Sequence, residues 1–538
     1  MKIGVKLSDL DGQVSAATIC LYIKRNFGIE CSFVIHKGKQ HGIVMEELQE
    51  INFDFDLLIV PDGGSADFQQ HKQLKEMGKD ILVLDHHKTF RFSEHAIVIN
   101  PYVKGDKYPN KNLAGVGVVY KFCQALDDFY QIKSADSFLD LVACGNIADS
   151  MDLRELETRY LTLEGIKMLE HDRALFEQGE TEGKCNKFIQ AIIKSKKDKE
   201  LKHINIESIG WKIAPIINGT CRAGEREEKI DMFRAFLEEE EERVYQPRRK
   251  VKTDPKPDPI LVTLQEDMLR KCTNIKARQD KIVKNSSEKI EEKIIEKNLN
   301  ENKVLMVDGT GVIEDKSLTG LIANKLASKY KKPVMILKKM SDDCYGGSAR
   351  NFNMSPIESL LDLTNSLGTM ESTGHPNAHG IKIHIDNLIP TRDKLNEILK
   401  DVEMEDVYWV DFEIPVGRLR KEDVLKVGKY SSIWGNTLKK PQFAITNITI
   451  NASDVEMMGD KKNIIKFKKG DLTFIKFFTN EDYRDKMIMR EKNSFGKSPK
   501  QVVLDIIGEL ECNIYEGVYY PQITIVDFNV RKKEELLF

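Results

Sequence analysis

Five short apolar runs near the start of the chain most constrain its fold. Each has the length of a β-strand, and helix-length amphipathic stretches alternate with them: KIGVKL, CSFVIH, FDLLIVPD, DILVLDHH and AIVIN. Such near-continuous apolar runs are typical of a parallel sheet that helices cover on both faces. The pattern therefore predicts a doubly wound α/β domain at the beginning of the chain.

Polar side chains interrupt these runs where the strands end, which is where ligands collect in folds of this class. The residues are Asp9, Asp11, Asp62, Asp85, His86 and His87, and Asp149 follows later in ACGNIADS. Taken singly, each aspartate is as readily a turn or helix-cap residue, and the histidine pair a surface feature. Four such positions in chain order within 150 residues instead favour one common functional site.

Carboxylates that converge on one edge of a sheet repel one another unless a cation lies among them. Carboxylate mixed with imidazole suits Mn, Mg or Fe better than structural zinc. Two divalent ions roughly 3.5 to 4 Å apart would neutralise the cluster, generate a hydroxide and hold a phosphoryl oxygen. The predicted chemistry is phosphoester hydrolysis.

The composition narrows the class of protein. A length of 538 residues exceeds one hydrophobic core and predicts several domains. The net charge of −3 argues against binding nucleic acid through bulk charge. Nine cysteines without a CxxC pair argue against a zinc ribbon or a disulfide framework, and a reducing cytoplasm is the expected location. We expect neither a signal peptide nor a membrane segment.

The remainder of the chain changes character several times. Helical sequence dominates from 151 to about 245, where the acidic run LEEEEERV is interpreted as a solvated helix face. The basic, proline-rich RVYQPRRKVKTDPKPDP predicts a connection or a partly extended arm. Residues 262–298 predict a long solvated helix between two domains. A second α/β block and, from about 405, a small all-β barrel follow.

Four motifs in order, SDLDG, VPDGGS, LDHH and GNIAD, resemble those of the DHH phosphoesterase superfamily. Within it the chain resembles the RecJ single-stranded-DNA exonucleases, because the likeness continues through IAPIINGTCRAG, GGSARN, TGHPNAHG, IWGNTLKKPQF and LECNIYEGVYYPQITIVDF. The resemblance implies a DHH catalytic domain at 1–250, a linker and long connecting helix at 251–300, an α/β DHHA1 domain at 301–400 and an OB-like nucleic-acid-binding barrel at 401–538.

The resemblance also implies a function. It predicts a single-stranded-DNA-specific 5′ to 3′ exonuclease that releases 5′ mononucleotides by a two-metal mechanism in DNA repair, recombination or replication. The expected cofactors are two Mn²⁺ ions or Mg²⁺. The expected partners are single-stranded DNA and a single-strand-binding protein or helicase that delivers it, and the expected state is a monomer in the cytoplasm.

The site residues follow from the same resemblance. Asp9 and Asp62 are expected to hold one metal, and the second metal is expected on Asp11, Asp62, His86 and Asp149. His87 is expected to contact the scissile phosphate or the attacking water, with Asp85 orienting the histidines. Substrate phosphates are expected to contact Arg222, Ser348, Arg350, Gly374 and His375.

Five positions depart from the family pattern: Leu7, Asn146, Asp152, Thr373 and His379. Leu7 stands where these relatives usually have a third acidic residue, which predicts that one metal is bound more loosely or takes a water or a different ligand there. His379 stands where they usually have alanine, and either a further phosphate contact or a partly exposed histidine without a role is compatible with it.

The barrel sequence NIIKFKKGD interleaves Lys466, Lys468 and Lys469 with Phe467. Cations mixed with aromatic rings favour single-strand binding, although alternation on a strand explains the same pattern as core on one face and solvent on the other. Two competing functions also stay open. One is a DHH-family phosphodiesterase for short oligonucleotides or small nucleotides, and the other is a catalytically decayed DHH scaffold protein.

Overall fold

The computed structural model describes most of the chain, in two compact units. The described residues are 2–7, 9–36, 42–49, 52–89, 91, 93–196, 201, 203–249, 255–435, 437–459, 462–489, 499–515 and 518–531. Unit 1 comprises Met1–Asp106, Asn186–Ile192 and Ile213–Tyr408, and unit 2 comprises Lys107–Cys185, Ile193–Lys212 and Trp409–Phe538. Within these described ranges, no helix has the length and apolar character needed to span a bilayer.

The first sheet of unit 1 confirms the predicted parallel arrangement. Its order is β2-β1-β3-β4-β5, and every neighbouring pair is parallel. The strands are β1 Ile3–Leu7, β2 Cys31–Ile35, β3 Leu57–Pro61, β4 Asp80–Leu84 and β5 Ile97–Ile99, and the helices between them are α1 Leu10–Phe27, α2 Met45–Leu48 and α3 Phe68–Glu76. Because the strands are parallel, their carboxyl ends meet at one edge of the sheet.

Helix α1 lies in the interior. Every residue from Leu10 to Ile23 is buried, so the helix presents no solvent face over its first four turns. It ends at Gly28, which adopts a left-handed conformation (φ 66°) and whose N–H donates to the carbonyl of Lys24. The polar residue Asp11 in its first turn is therefore fixed in a buried position beside the strand ends.

The middle of the chain is mostly helical, and the unit boundaries at 192/193 and 212/213 fall within helical segments. Helices in units 1 and 2 are here α4 Gly115–Tyr130, α5 Leu139–Ala148, α6 Leu156–Glu177, α7 Lys187–Lys196, α8 Ile206–Ser208, a π-helical turn Ile209–Ile213, α9 Ala214–Ala223 and α10 Arg226–Phe236. A two-stranded antiparallel sheet of β6 Glu242–Tyr245 and β7 Ile260–Thr263 follows in unit 1. The helix interpretation of LEEEEERV was wrong, because α10 ends at Phe236 and the run continues into β6.

The predicted long connecting helix is α11, Leu264–Glu296. Thr263 and Glu266 form a capping box at its start. Its buried residues recur at helical spacing, as with Met268, Cys272 and Ile275, and the charged positions between them face solvent. The helix is thus amphipathic along its length. Burial of one face and the absence of Gly and Pro together stabilise all 33 residues as a helix.

A second sheet in unit 1 has the order β11-β12-β10-β9-β8, with only β8 and β9 parallel. Its elements are β8 Leu305–Asp308, α12 Thr319–Tyr330, β9 Val334–Lys339, β10 Cys344–Arg350, α13 Leu360–Ser366, β11 Met370–His375, β12 Ala378–His384 and α14 Leu388–Ile398. Apolar residues cover both faces, with α11 and α12 on one side and α13 and α14 on the other.

The C-terminal part of unit 2 is a seven-stranded sheet of order β13-β14-β18-β19-β17-β16-β15, which agrees with the predicted OB-like domain. Its elements are β13 Phe412–Pro415, α15 Lys421–Gly428, β14 Phe443–Asn451, β15 Glu456–Met458, β16 Ile464–Lys469, β17 Leu472–Lys476, α16 Glu481–Met487, β18 Gln501–Tyr515 and β19 Val518–Val530.

Phe467 was wrongly expected to bind nucleic acid. The ring is 2% exposed in the core of this sheet and stacks on Phe474 with centroids 4.9 Å apart. Alternation along β16 turns Phe467 inward, while Lys468 and Lys469 at its end are exposed and Lys466 is half-buried. The nucleic-acid role of these three lysines stays a prediction.

Candidate active site

Two neighbouring strands bring acidic and histidine residues together at one edge of the first sheet. Asp62 directly follows β3 and Asp85 directly follows β4, and the last residues of these strands pair in register. The backbone N–H of Asp62 donates to the carbonyl of Leu84 at 2.9 Å. Asp62 has a left-handed backbone (φ 57°), and Gly64 after it has φ 92°. The chain thus turns sharply here, with the Asp62 carboxylate held beside the end of β4.

We call Asp11, Asp62, Asp85, His86 and His87 the carboxylate–histidine cluster. The Nε2 atom of His86 lies 3.2 Å from Oδ1 of Asp62 and 3.8 Å from Oδ2 of Asp11. Asp62, His86 and His87 each offer a ligand atom, and these atoms lie within 4.8 Å of one another. The carboxylates of Asp11 and Asp62 are almost fully buried, at 3% and 2% exposure.

Asp85 is the hydrogen-bonding centre of the cluster. Its Oδ1 accepts from the backbone N–H groups of His86 at 2.7 Å and His87 at 3.1 Å, and it lies 2.8 Å from Nδ1 of His87. Its Oδ2 accepts from the N–H of Ser65 at 3.2 Å. Asn100 donates to Ser65 Oγ and to the His87 carbonyl, both at 2.9 Å. The carboxylate therefore fixes the backbone and the ring of His87.

Asp85 and His87 each stabilise the charged form of the other. Burial alone would raise the pKa of Asp85, but the hydrogen bond and charge of His87, with the bond from Ser65, hold that pKa well below its usual range. The hydrogen bond to Asp85 raises the pKa of His87 to about 9 despite partial burial. Asp85 is therefore ionised and His87 protonated at neutral pH in the metal-free protein.

The composition of the cluster fits a divalent cation. Buried carboxylates are costly unless a positive charge offsets them, and Asp11 and Asp62 are both buried within reach of His86. Carboxylate oxygens with imidazole nitrogen suit Mn²⁺, and carboxylate oxygens alone suit Mg²⁺. The residues present can therefore hold either ion.

Three further positions singled out by the sequence are Asp9, Asp149 and Leu7. Asp9 is the N-cap residue of α1, and its side chain does not cap the helix. Asp149 is the C-cap residue of α5, in unit 2. Leu7 ends β1, and its side chain lies outside the described part of the structure. The metal-ligand roles of Asp9 and Asp149 and the effect of Leu7 stay predictions.

Unit 1 also contains an open pocket of about 640 Å³, which we call the arginine pocket. Its lining includes Arg222, Lys316, Ser348 and Arg350. Arg222 lies near the end of α9, and α9 packs against α1, whose first turn carries Asp11. Ser348 and Arg350 lie on β10 with side chains on the same face.

The local backbone explains how β10 presents these side chains. A Cβ on Gly347 would lie 1.9 Å from the carbonyl oxygen of Ile336 on β9, so only glycine allows the strands to pair this closely. Ser348 Oγ lies 2.9 Å from Oγ1 of Thr319, the first residue of α12. Arg350 Nη1 donates to the carbonyl of Ala349 at 2.7 Å. Ser348 is thus held at the start of α12, and Arg350 Nη2 lies 2.6 Å from where a Cβ on Gly320, the second residue of that helix, would be. The start of a helix favours anions.

The pocket is electropositive. Burial and the nearby charge of Arg222 lower the pKa of the Arg350 guanidinium. One carboxylate, that of Asp315, also lines the pocket, but it accepts from the N–H and hydroxyl of Ser317 at 2.8 and 2.7 Å. Two guanidiniums held near each other favour an anion between them, and 640 Å³ is large enough for a nucleotide.

Gly374 and His375 end β11, beside the turn into β12. Gly374 has φ 138°, which a larger residue rarely adopts, and His375 pairs with Ala378, which lines the arginine pocket. His375 is exposed at this rim. Its contact with substrate stays a prediction, as do those of Arg222, Ser348 and Arg350.

His379 is buried rather than partly exposed. Its Nε2 lies 3.3 Å from Oγ1 of Thr364, and burial, with a smaller effect of Arg350, lowers its pKa to about 4. It is therefore a neutral core residue, and a phosphate contact through its ring is excluded by burial. The register of β12 explains this, since His379 alternates inward with Ile381 and Ile383.

Sequence reasoning missed Ser65, Asn100 and Lys316. Ser65 was quoted within VPDGGS without a role, and Asn100 ends the run AIVIN without an acidic or histidine neighbour to signal it. Lys316 belongs to no motif. Only the packing of the strand ends brings Ser65 to Asp85, and only the position of α12 brings Lys316 to the arginine pocket.

Comparison with known proteins agrees with this geometry. Residues 3–146 match the DHH family, N-terminal domain, and residues 410–527 match the RecJ OB domain. The "Putative SPbeta prophage-derived single-strand DNA-specific exonuclease YorK" of Bacillus subtilis (strain 168) is 39% identical over 99% of this chain and 88% of its own length. The single-stranded-DNA-specific exonuclease RecJ of the same organism is 24% identical over 96% of this chain and 60% of its own.

A solved structure shows the same fold. The crystal structure of RecJ in complex with Mn²⁺ from Thermus thermophilus superposes with a TM-score of 0.68 at 17% identity, covering 99% of this chain and 69% of that one. Sequence identity of 39% across nearly the full chain, together with the DHH and RecJ OB matches, establishes the relationship. The chain belongs to the RecJ-like branch of the DHH phosphoesterase superfamily.

Proposed function

We propose that this protein is a single-stranded-DNA-specific exonuclease that works from 5′ to 3′ and releases 5′ mononucleotides, with two Mn²⁺ or Mg²⁺ ions. The observation that carries the proposal is the carboxylate–histidine cluster, in which buried Asp11 and Asp62 lie within 4 Å of His86 Nε2. The names of the relatives support the substrate, since YorK and RecJ are both described as single-strand-DNA-specific exonucleases.

The acidic and histidine residues of the site have different proposed roles. Asp9, Asp11, Asp62, His86 and Asp149 would hold the divalent ions. Ions bound there would supply a water-derived nucleophile and neutralise charge on the phosphate. Asp85 holds the ring of His87, which contacts the scissile phosphate or the attacking water.

The arginine pocket acts on a different part of the strand. Arg222, Ser348 and Arg350 bind a substrate phosphate, with Gly374 and His375 at the rim. The guanidinium fork matches two phosphate oxygens, so these contacts align the strand for attack on the next bond. The surface lysines Lys466, Lys468 and Lys469 provide further backbone contacts on the OB-like sheet.

The setting of the enzyme belongs to the same proposal. We infer a monomer that acts in the cytoplasm during DNA repair, recombination or replication, on strands delivered by a helicase or single-strand-binding protein. The proposed domain bounds are those given above: 1–250, 251–300, 301–400 and 401–538.

The test of the cluster is Asp62→Ala assayed on 5′-phosphorylated single-stranded DNA with Mn²⁺. We expect the rate to fall at least about 1000-fold, because one buried ligand is lost from the metal site. Asp80→Ala is the control, since Asp80 is an exposed residue at the start of β4 that pairs with Lys75. Undiminished digestion by Asp62→Ala would contradict the proposed chemistry.

The polarity has a separate test. With a strand labelled at its 5′ end, the first labelled product of the wild-type enzyme should be a mononucleotide. A descending ladder of labelled fragments would instead mean digestion from the 3′ end. Cleavage confined to dinucleotides would favour a small-substrate phosphodiesterase.

A further inference from the structure

A further open pocket of unit 1, of about 270 Å³, shares none of its described lining residues with the cluster or the arginine pocket. We call it the sheet-end pocket. Asp308 ends β8 and stands in register with Leu337 of β9, and both residues line the pocket. The strands β8 and β9 are the parallel pair of the second sheet. Because ligands in α/β folds collect at the carboxyl ends of parallel strands, this is a position where a ligand is expected.

The floor of the sheet-end pocket is apolar and includes one aromatic ring. Tyr345 of β10, Met306 of β8 and Leu388 of α14 line it, and all three are partly buried against the core on the α13 and α14 side of the sheet. Alternation along β10 places Tyr345 on the opposite face from Ser348 and Arg350. An aromatic ring offers a platform for a base, and a methionine adapts to the shape of its neighbour.

Three cations line the same pocket. Lys293 lies in the last turn of α11, Lys297 is the C-cap residue one turn later, and Arg392 lies on α14. Lys293 Nζ donates to the backbone carbonyls of Asp308 and Thr310 at 3.2 and 3.4 Å. Carbonyl groups bear no net charge, so these bonds position the ammonium beside the end of β8 without neutralising it.

Two carboxylates moderate this positive charge. One oxygen of Asp393 lies 2.8 Å from Nε and 2.7 Å from Nη2 of Arg392, but its side chain is 59% exposed, and ion pairs of this kind contribute little. The guanidinium also has further N–H donors. Asp308 accepts from the N–H of Thr310 at 2.8 Å. The described lining therefore combines three cations with one carboxylate, which favours an anion that also carries a hydrogen-bond donor.

We propose that the sheet-end pocket binds a mononucleotide, the class of product that the proposed reaction releases. The inference rests on the proposed function, which supplies this ligand. The phosphate contacts Lys297 and Arg392, the base lies on Tyr345, and Asp308 accepts a hydrogen bond from a sugar hydroxyl or a base amino group. A volume of about 270 Å³ is near the lower limit for small-molecule sites, so the pocket takes one nucleotide and not a strand.

The test has to separate this pocket from the arginine pocket, which also suits a nucleotide. Every protein therefore carries Arg350→Ala, and Arg222→Ala serves as a second background. Binding of deoxyadenosine 5′-monophosphate (dAMP) to the full chain is measured by titration calorimetry in EDTA, and thermal unfolding checks that each variant is folded. We expect one dAMP per chain in either background. Adding K297Q/R392Q should lower the affinity at least about tenfold, because two charge-assisted contacts are lost.

Two further variants sharpen this result. The matched control K394Q/K400Q removes the same charge from two exposed lysines of and just after α14, and it should bind dAMP like its parent. Tyr345→Leu should lower the affinity for dAMP at least about fivefold, because the stacking platform is lost while the cations stay.

Three other probes identify the class of ligand: inorganic phosphate, deoxyadenosine, and a short peptide of glutamate and leucine. Phosphate lacks the base, deoxyadenosine lacks the charge, and the peptide lacks a planar ring. We expect each of them to bind at least about tenfold more weakly than dAMP. A peptide that bound as tightly as dAMP would instead assign the pocket to a protein segment.

The inference would be overturned by unchanged dAMP affinity in K297Q/R392Q or Tyr345→Leu, by an equal loss in K394Q/K400Q, or by any probe that equals dAMP. Absence of dAMP binding in both backgrounds would overturn it as well. Failure of the proposed function has a separate signature, since wild type would then leave single-stranded DNA undigested with Mn²⁺ whether or not dAMP binds.

Discussion

Two histidines of unit 1 have pKa values shifted in opposite directions, one in the carboxylate–histidine cluster and one in the sheet that carries the arginine pocket. In the cluster, ionised Asp85 raises the pKa of His87 to about 9. In the sheet that carries the pocket, burial and the charge of Arg350 lower the pKa of His379 to about 4. At neutral pH His87 is therefore a cation, whereas His379 is neutral.

This difference shows how unit 1 separates two electrostatic tasks. The cluster concentrates buried negative charge, which needs a cation, and the pocket concentrates positive charge in an open space, which suits a phosphate. The cluster lies at the edge of the first sheet, whereas Ser348 and Arg350 of the pocket lie on the second sheet, so these two pocket residues can be altered without changing a residue of the cluster. Three variants test that separation.

Of these three variants, Arg350→Ala is expected to have the largest effect. Loss of a charge-assisted contact to phosphate costs about 1.5 to 3 kcal/mol, which lowers kcat/KM on single-stranded DNA by roughly 10- to 150-fold. Arg350→Lys should lie between wild type and alanine, because lysine keeps the charge but not the fork. Mn²⁺ affinity, measured by titration calorimetry, should stay unchanged, and a parallel loss of Mn²⁺ affinity would show that the two sites are coupled.

Asp85→Asn is expected to weaken Mn²⁺ binding at the cluster while leaving the arginine pocket unchanged. The amide keeps the size of the side chain but removes the charge that holds the His87 ring. Asp85 also accepts a hydrogen bond from the backbone N–H of His86, the proposed metal ligand. Residues that orient metal ligands typically contribute about 10- to 100-fold, and we expect a loss at the lower end of that range in Mn²⁺ affinity and activity. Binding of single-stranded DNA without metal should persist. A binding defect with intact Mn²⁺ affinity would instead assign Asp85 to substrate contact.

The smallest effect concerns stability and pH. Since the pKa of His379 falls from 6.5 in the unfolded chain to about 4 in the folded protein, unfolding takes up a proton between these values. Stability is complete above pH 6.5 and falls as pH drops towards 4, by about 2 kcal/mol at pH 5. His379→Asn should therefore lose less stability than wild type between pH 7.5 and about 5.

Urea unfolding of the full chain at the two pH values measures this difference. His384→Asn on the same strand is the control, because its side chain is half exposed. An equal acid sensitivity in His379→Asn and wild type would refute the assignment of a buried neutral histidine.

Much of the fold was predictable because its signals are local. Continuous apolar runs predicted the parallel sheet, and the charged stretch without Gly or Pro predicted α11. The LEEEEERV interpretation failed because β6 depends on pairing with β7, which lies 15 or more residues further along the chain. Local sequence carries no record of such a partner.

The same reasoning applies to the side chains. Lys468 and Phe467 were equally compatible with a binding strip, since alternation shows that two faces differ but not which one meets the core. Packing against Phe474 determines that Phe467 faces the core. His379 shows the same limit, because its burial follows from the register of β12 with β10.

By itself, the sequence determined which chemistry is present: the order of SDLDG, VPDGGS and LDHH and their position after apolar runs already indicated a metal-dependent phosphoesterase. Only the tertiary structure decided how the residues share the work. Asp85 accepts hydrogen bonds from its two neighbours in LDHH and from Ser65, while His86 reaches Asp62 and Asp11. The physical reason is that adjacent residues at a strand end point in different directions, and what each one meets depends on strands and helices distant in the chain.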